Sequence, residues 1–198
     1  MSAPRQLQRL VLASGSPRRR ELLDGAGYAF EVLEPSSEAE CGVCSGAGPV
    51  ELVTELALKK ATDVALRVHE AVILAADTVV ECQGQILGKP TSEEHAQWML
   101  ELLSGEEHRV FTGVCVWPCP LGNPILRVSQ TTLRMDELAE RQIDEYLDSR
   151  QWEGKAGAFG YQDRLGWIHI ISGSESNVVG LPMELVEKML AEVGVEPE

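Results

Sequence analysis

Hydrophobic and polar positions along the chain change period several times, and each change predicts an element. Short apolar runs at residues 10–13 and 28–33 read as strands, separated by a short helix over 17–23. Residues 36–48 are rich in Ser, Gly, Glu and Cys without apolar periodicity, so a loop is expected there. The helical pattern is clearest over 50–68, where Val53, Leu56, Ala57, Ala61, Val64, Ala65 and Val68 share one face. Residues 71–80 form a nearly continuous apolar run, which predicts a central strand covered on both sides. Gln83-Gly84-Gln85 turns the chain back. Thr91 followed by Glu94 reads as a capping box that opens a helix ending near Ser104-Gly105. Extended runs follow at 108–117 and 125–133, and Asp136 is expected to cap the next helix. A glycine-rich loop over 154–160, a strand over 165–171 and a last helix opening near Pro182 complete the pattern. There is no heptad run and no repeat at about 20–50 residues. The expected fold class is α/β, a mixed sheet with helices on its faces.

Composition narrows the function. At 198 residues the chain makes one large domain or two small lobes, and a single domain over 1–198 is expected. Lys and Arg total 17 against 31 Asp and Glu, a net charge of −14 that argues against nucleic-acid or anionic-membrane partners, which need a basic surface. No apolar run approaches the roughly 18–20 residues of a membrane span. Arg5, Gln6, Gln8 and Arg9 interrupt the first ten residues, so no signal-peptide core forms and a cytoplasmic protein is expected. The odd cysteine count, five, argues against a disulfide framework. Cys41 and Cys44 have the spacing of a redox pair or half a zinc site, with Cys115 and Cys119 as a conceivable other half. Cys115 lies in a strand-like run and Cys119 between two prolines, so plain thiols are the expectation.

Against this acidic background, basic residues matter where they cluster. In Ala13-Ser14-Gly15-Ser16-Pro17-Arg18-Arg19-Arg20 a strand ends, a glycine relaxes the backbone, and Ser16 and Pro17 occupy N-cap and first helical positions. Free N–H groups at such a start attract anions and disfavour cations, so three arginines there call for a compensating anion. The segment reads as a phosphate-binding start or as a solvated basic turn that Ser16 merely caps. Lys60 falls between Val53 and Leu56 on the helical wheel, inside the apolar arc, whereas Lys59 follows Glu55 by four residues on the polar face. A lysine directed inward either snorkels or meets an anion. Asp77 interrupts the apolar run, and an ionised carboxylate in a buried strand is costly unless a cation or donor meets it. It reads as a metal ligand or general base where ligands collect in open sheets, or as a carboxylate bonded to loop amides.

Two further segments carry polar groups among small residues. Leu87-Gly88-Lys89-Pro90 presents a lysine rigidified by proline, and residues 155–162 run Lys-Ala-Gly-Ala-Phe-Gly-Tyr-Gln. Small residues permit close approach to a ligand, and the Gln162 amide has the donor and acceptor needed to read a base edge. Each segment alone also reads as a surface turn. His69, His95, His108 and His169 are scattered, without metal-ligand spacing. No Walker loop, nucleophile elbow or dinucleotide-binding glycine fingerprint is present.

Taken in order, these segments resemble the Maf family of nucleoside triphosphate pyrophosphatases over about residues 10–190. The carrying motifs are Ala-Ser-Gly-Ser-Pro-Arg-Arg (13–19), Ala-Asp-Thr-Val-Val (76–80), Gly-Lys-Pro (88–90), Lys-Ala-Gly-Ala-Phe-Gly-Tyr-Gln (155–162) and Val-Val-Gly-Leu-Pro (178–182). The resemblance implies a two-lobed α/β fold around a central cleft, and metal-dependent hydrolysis of a nucleoside triphosphate to monophosphate and pyrophosphate. Asp77 falls on the family's catalytic aspartate, the proton acceptor close to the metal. Ser14, Arg18, Lys60 and Lys89 fall on its polar and basic active-site positions. Arg18, Thr78 and Gln162 together look like the branch acting on dTTP and UTP, rather than the branch preferring 7-methyl-GTP. The family's acidic metal-side position matches Glu38, with Glu40 as a competitor. Two departures stand out: Asp163 where glycine is common, which adds negative charge beside the expected base pocket, and no aromatic in Ser174-Glu175-Ser176-Asn177. A homodimer is also what the resemblance suggests.

The chemistry expected of these residues is coherent. A triphosphate carries about four negative charges, so Arg18, Arg19, Lys60, Lys89 and Lys155 are expected to concentrate positive potential locally, helped by Ser14, Ser16 and the amides before the first helix. Hard oxygen ligands from Asp77 and Glu38 suit Mg²⁺ or Mn²⁺. Asp77 is expected to orient or deprotonate the attacking water, and Thr78 and Gln162 to contact a pyrimidine edge. The rival reading is a non-catalytic nucleotide sensor acting on cell division, which would need the basic cradle but no activating carboxylate.

Overall fold

The computed structural model describes residues 9–40 and 48–198; Cys41, Cys44 and the side chain of Glu40 lie outside the described residues. The chain runs β1 (Leu10–Ala13), α1 (Pro17–Gly25), β2 (Glu31–Val32), α2 (Ser37–Glu40), α3 (Pro49–Ala65), β3 (Ala71–Cys82) and β4 (Gln85–Leu87). It continues with α4 (Glu93–Leu103), β5 (Glu107–Cys119), β6 (Ile125–Met135), α5 (Glu140–Asp148), β7 (Ile168–Ser172), α6 (Glu175–Val179) and α7 (Met183–Glu192). Two 3₁₀ turns, Ala156–Ala158 and Tyr161–Asp163, shape the loop between α5 and β7.

Among the described residues the strands form one seven-stranded sheet in the order β2-β1-β3-β5-β6-β7, with β4 paired to β3. The β1 strand is parallel to β2 and β3, and the other pairs are antiparallel. This is the mixed α/β sheet that the hydrophobic pattern predicts. One edge of β3 is covered by β5 from Ala71 to Glu81. The other edge is shared: β1 pairs with residues 72–75 and β4 with residues 80–82. Residues 76–79 have neither strand beside them, because β1 ends at Ala13 and the chain turns away into α1. That gap holds Asp77 and Thr78.

Side-chain alternation along β3 separates two faces. Ile73 and Ala75 pack beneath α3 with Ala57, Ala61 and Val64, while Leu74 and Ala76 pack on the opposite face with Leu12, Val186 and Leu190. Beyond the gap, Val80 and Cys82 enter a separate cluster with Leu100, Leu133 and Trp167. The expected two lobes therefore share the long strands β3 and β5, with the gap between them. Opposite Asp77, β5 carries Gly113, where a Cβ would overlap the Val53 carbonyl. Glycine lets α3 lie close on the sheet at the level of Asp77.

Several boundaries differ from the expectations for local reasons. The strand expected over 28–33 shortens to Glu31–Val32, since four-residue β1 offers it only Val11 and Leu12 as partners. Tyr28 is instead a buried core residue. Part of the expected loop over 36–48 is helical at Ser37–Glu40. Ser92, not Thr91, caps α4: its hydroxyl accepts from the His95 N–H at 3.2 Å. Asp136 does not cap α5, because its carboxylate meets His169 Nε2 at 3.0 Å and its N–H donates to Trp167. Helix α5 begins after Ala139, whose N–H is accepted by the Gln142 side chain at 3.0 Å. The expected strand over 165–171 lies at Ile168–Ser172, where β7 comes into register with β6. Gln83 and Gly84 both take positive φ, as a two-residue hairpin turn requires.

Candidate active site

A cleft of about 580 Å³ opens at the gap in β3, within the size range of small-molecule sites. Its floor is β3 with Asp77 and Thr78, one wall is the loop Ser14-Gly15-Ser16, and the other is the loop from Glu153 to Gln162. Arg18, Lys60 and Lys89 line the same cleft as Asp77. The cations that the motifs predict to surround one carboxylate are thus brought together.

Lys60 is the deepest of them. It sits on the buried face of α3 with 3% of its side chain exposed, and its Nζ donates to Asp77 Oδ1 at 2.7 Å. The inward lysine of the helical wheel therefore meets an anion. Asp77 retains 16% exposure toward the cleft, and its second oxygen has no hydrogen-bond partner among the described residues. A carboxylate fixed through one oxygen and open at the other can orient a water or bind a cation.

Ser14 closes the end of β1. Its hydroxyl accepts from the Ser16 N–H at 3.2 Å and from Arg19 Nη1 at 3.3 Å, which folds the loop before α1. Ser16 stands at the N-cap position of α1 but makes no capping bond with its side chain. Pro17 follows at the first helical position, and no acidic side chain occupies the first turn. The helix start is therefore arranged for an anion from outside the chain.

The arginines divide their work. Arg19 is buried, with Nε donating to the Gly180 carbonyl at 2.7 Å and Nη2 to Thr78 Oγ1 at 3.0 Å. It braces α1 against β3 and the turn after α6, in addition to lining the cleft. Thr78 Oγ1 also lies 2.9 Å from Thr112 Oγ1, so its hydroxyl is committed to this internal network. Thr78 thus supports Arg19 while it lines the cleft. Arg18 donates to the Gly154 carbonyl at 3.0 Å and ties α1 to the opposite loop. That loop is held in turn by the Gly157 N–H, which donates to the Gly88 carbonyl beside Lys89 at 3.0 Å.

Lys155 and Gln162 both line the cleft, but Lys155 does not stand with Lys60 and Asp77. Its ammonium is paired with Asp163, which also accepts from the Tyr146 hydroxyl at 2.8 Å. Burial lowers the Lys155 pKa while Asp163 opposes that shift. The negative charge that Asp163 adds is therefore balanced by the Lys155 ammonium.

Besides Asp77, two acidic residues line the cleft: Glu153, whose carboxylate is paired with Arg150 at 2.9 Å, and Glu34, which the sequence reading did not single out. Glu38, the acid expected at the metal side, is exposed on α2 and does not line the cleft. The Glu34 carboxylate lies beside the phosphate-loop backbone, 3.1–3.3 Å from where a Cβ on Gly15 would sit. It makes no hydrogen bond or ion pair among the described residues, while Arg67 anchors its backbone carbonyl at 2.6 Å. One available signal was its place just past the C-terminal end of a parallel strand, where ligands collect. Among the described residues no three His, Cys, Asp or Glu side chains group closely enough to hold a metal alone. Two open carboxylates beside a phosphate site still suit Mg²⁺ or Mn²⁺, which take much of their coordination from water and phosphate oxygens. Cys115 is fully buried under α3, with its thiol pKa pushed up to about 12 by burial, a poor setting for a zinc ligand.

Fold and cleft together define an α/β protein with a cation-lined site for an anionic ligand of nucleotide size, centred on one aspartate. The chain belongs to the Maf-like protein family, which matches residues 9–193. It is 53% identical over 182 residues to a dTTP/UTP pyrophosphatase of Rhodopirellula baltica, covering 91% of this chain and 80% of that protein. A dTTP/UTP pyrophosphatase of Symbiobacterium thermophilum is 41% identical over 189 residues, covering 95% of each. Among solved structures, a nucleoside-triphosphatase (dITP/XTP pyrophosphatase) of Mycobacterium abscessus aligns with TM-score 0.41 and 12% identity, covering 94% of this chain and 98% of that one. No described helix is long and apolar enough to cross a membrane.

Proposed function

We propose that this chain is a nucleoside triphosphate pyrophosphatase that hydrolyses dTTP and UTP to the monophosphate and pyrophosphate, acting as one domain. The observation that carries the proposal is Asp77, held by Lys60 in the gap of β3 and facing the loop before α1 across one cleft. The names of the curated relatives support the choice of dTTP and UTP.

In this reading the triphosphate lies between the Ser14-Gly15-Ser16 loop and Lys89, with Arg18 at its side. Asp77 accepts a proton from water through its open oxygen while Lys60 fixes the other one. That water adds to the α-phosphorus, the bond to the bridging oxygen breaks, and pyrophosphate leaves with its charge balanced by Lys89 and Arg18. Asp77 and Glu34 would hold Mg²⁺ or Mn²⁺, which supplies neutralisation of the phosphates and polarisation of the reacting phosphoryl group. At the far end of the cleft, Gln162 contacts the pyrimidine edge. A panel of dTTP, UTP, dATP, GTP and 7-methyl-GTP with product identification tests the proposal. Release of pyrophosphate, fastest from dTTP and UTP, is expected. A purine nucleotide at the top overturns the substrate assignment, and no pyrophosphate from any nucleotide overturns the activity.

A further inference from the structure

The polar loop around Gly160 joins three side chains that the reaction above does not fully use. A Cβ on Gly160 would lie 2.5 Å from Gln162 Nε2, 2.6 Å from Lys155 Nζ and 2.7 Å from Asp163 Oδ2. The amide, the ammonium and the carboxylate thus converge over one glycine, and glycine leaves them room to do so. Lys155 and Gln162 reach the cleft; Asp163 and Tyr146 stand behind them, outside its lining. The Lys155 and Asp163 side chains are only 9% and 10% exposed, so their ion pair is shielded from water. Asp163 is itself fixed by the Tyr146 hydroxyl at 2.8 Å, and that hydroxyl's pKa is raised by burial and by the carboxylate beside it.

We infer that Asp163 is a positioning residue that holds Lys155 next to Gln162 as a hydrogen-bond donor for a ring carbonyl of the pyrimidine, not as a counter-charge for the phosphates. This rests on the pyrophosphatase reading and extends it to the base end of the cleft. An ammonium already paired with a shielded carboxylate adds little net charge toward a polyphosphate, but keeps directed N–H donors. The side chain beside it, Gln162, has the donor and acceptor that match the N3–H and carbonyl of uracil or thymine. Two adjacent fixed donors and one acceptor complement the edge of that ring, and a site built to hydrogen-bond a group discriminates strongly in its favour. Asp163 touches neither substrate nor reacting atoms in this arrangement.

The test separates base from phosphate binding. Dissociation constants of dTMP and of inorganic tripolyphosphate are measured for the full chain and for Asp163→Asn and Tyr146→Phe, alongside kcat and KM for dTTP. For Asp163→Asn the expected result is about tenfold weaker dTMP binding and a similar rise in KM, the effect of losing one charge-assisted bond. The kcat is expected to stay within about threefold and tripolyphosphate binding within about twofold. Tyr146→Phe keeps the carboxylate but loosens it, with a smaller rise of about threefold in the dTMP constant. It decides the matter should Asp163→Asn not fold. Equal weakening of dTMP and tripolyphosphate would place Lys155 on the phosphates and overturn the inference, as would unchanged dTMP binding in a folded variant. A wild-type chain that binds neither probe overturns the pyrophosphatase reading itself.

Discussion

Lys60 Nζ lies 2.7 Å from Asp77 Oδ1, joining the buried face of α3 to the stretch of β3 that has a strand on one edge only. The contact explains two features at once: a lysine tolerated inside an apolar helix face, and a carboxylate tolerated in an otherwise apolar strand. Each is the other's compensation. Replacing Asp77 by Asn keeps an oxygen for Lys60 but removes the proton acceptor. Pyrophosphate release from dTTP is expected to fall at least about 10²-fold with folding retained. Thermal unfolding and a phosphate-release assay on the same preparation check both halves. Unchanged turnover would remove Asp77 from its catalytic role.

The same contact depends on how near α3 lies to the sheet. At Gly113 an added methyl would overlap the backbone carbonyl of Val53, and backbone has no rotamer by which to yield. Gly113→Ala is therefore expected to push α3 outward, at a cost of about 1–3 kcal/mol in stability. Displacing α3 also moves Lys60 away from Asp77, so kcat should drop with the melting temperature. A variant that loses stability but retains full kcat would show that α3 can shift without disturbing the pair.

Much of this site is legible in the sequence, and what is not legible has physical causes. Lys60 stood out because helical periodicity places it among apolar neighbours, and Asp77 because a charge breaks an apolar run. Both signals are local. The roles of Arg19 and Asp163 were not legible: each depends on partners far along the chain, Gly180 and Thr78 for one, Tyr146 for the other. Glu34 was passed over because one glutamate after a short strand carries no periodic signal, and its place beside Gly15 comes from parallel pairing of β1 and β2. The cap expected at Asp136 fails for the same reason, because its carboxylate meets His169 far along the chain. At Thr91 the competition is local: its hydroxyl lies 3.1 Å from His95 Nδ1, four residues on, and the neighbouring Ser92 caps α4 instead.

Gly160 offers a contrast with Gly113. The atoms that a Cβ on Gly160 would meet are the ends of Gln162, Lys155 and Asp163, side chains that can rotate aside. Its φ of −131° is open to any residue. Gly160→Ala is therefore expected to leave the backbone in place but to cost about 1–3 kcal/mol, because scattering the three polar heads strains the shielded Lys155–Asp163 pair. The KM for dTTP should rise several-fold with little change in kcat. Steady-state kinetics beside a thermal melt distinguishes this from general loosening, which would lower kcat along with stability.

His108 predicts how the fold responds to acid. It is buried on β5 with its ring edge-on to Phe159, and its Nδ1–H donates to the Glu106 carbonyl at 3.3 Å. Its Nε2 has no partner among the described residues. Burial lowers its pKa from 6.5 to about 4. The unfolded chain therefore takes up a proton at this residue near pH 6.5, whereas the folded chain resists until about pH 4. Stability that depends on neutral His108 is present above pH 6.5 and is lost as the pH falls toward 4. Between about pH 7 and pH 5 this amounts to about 2 kcal/mol. His108→Phe keeps a ring against Phe159 and removes the titration. Its melting temperature is expected to fall less than that of the wild type over the same pH interval. Equal falls in the two proteins would assign the acid sensitivity to other groups.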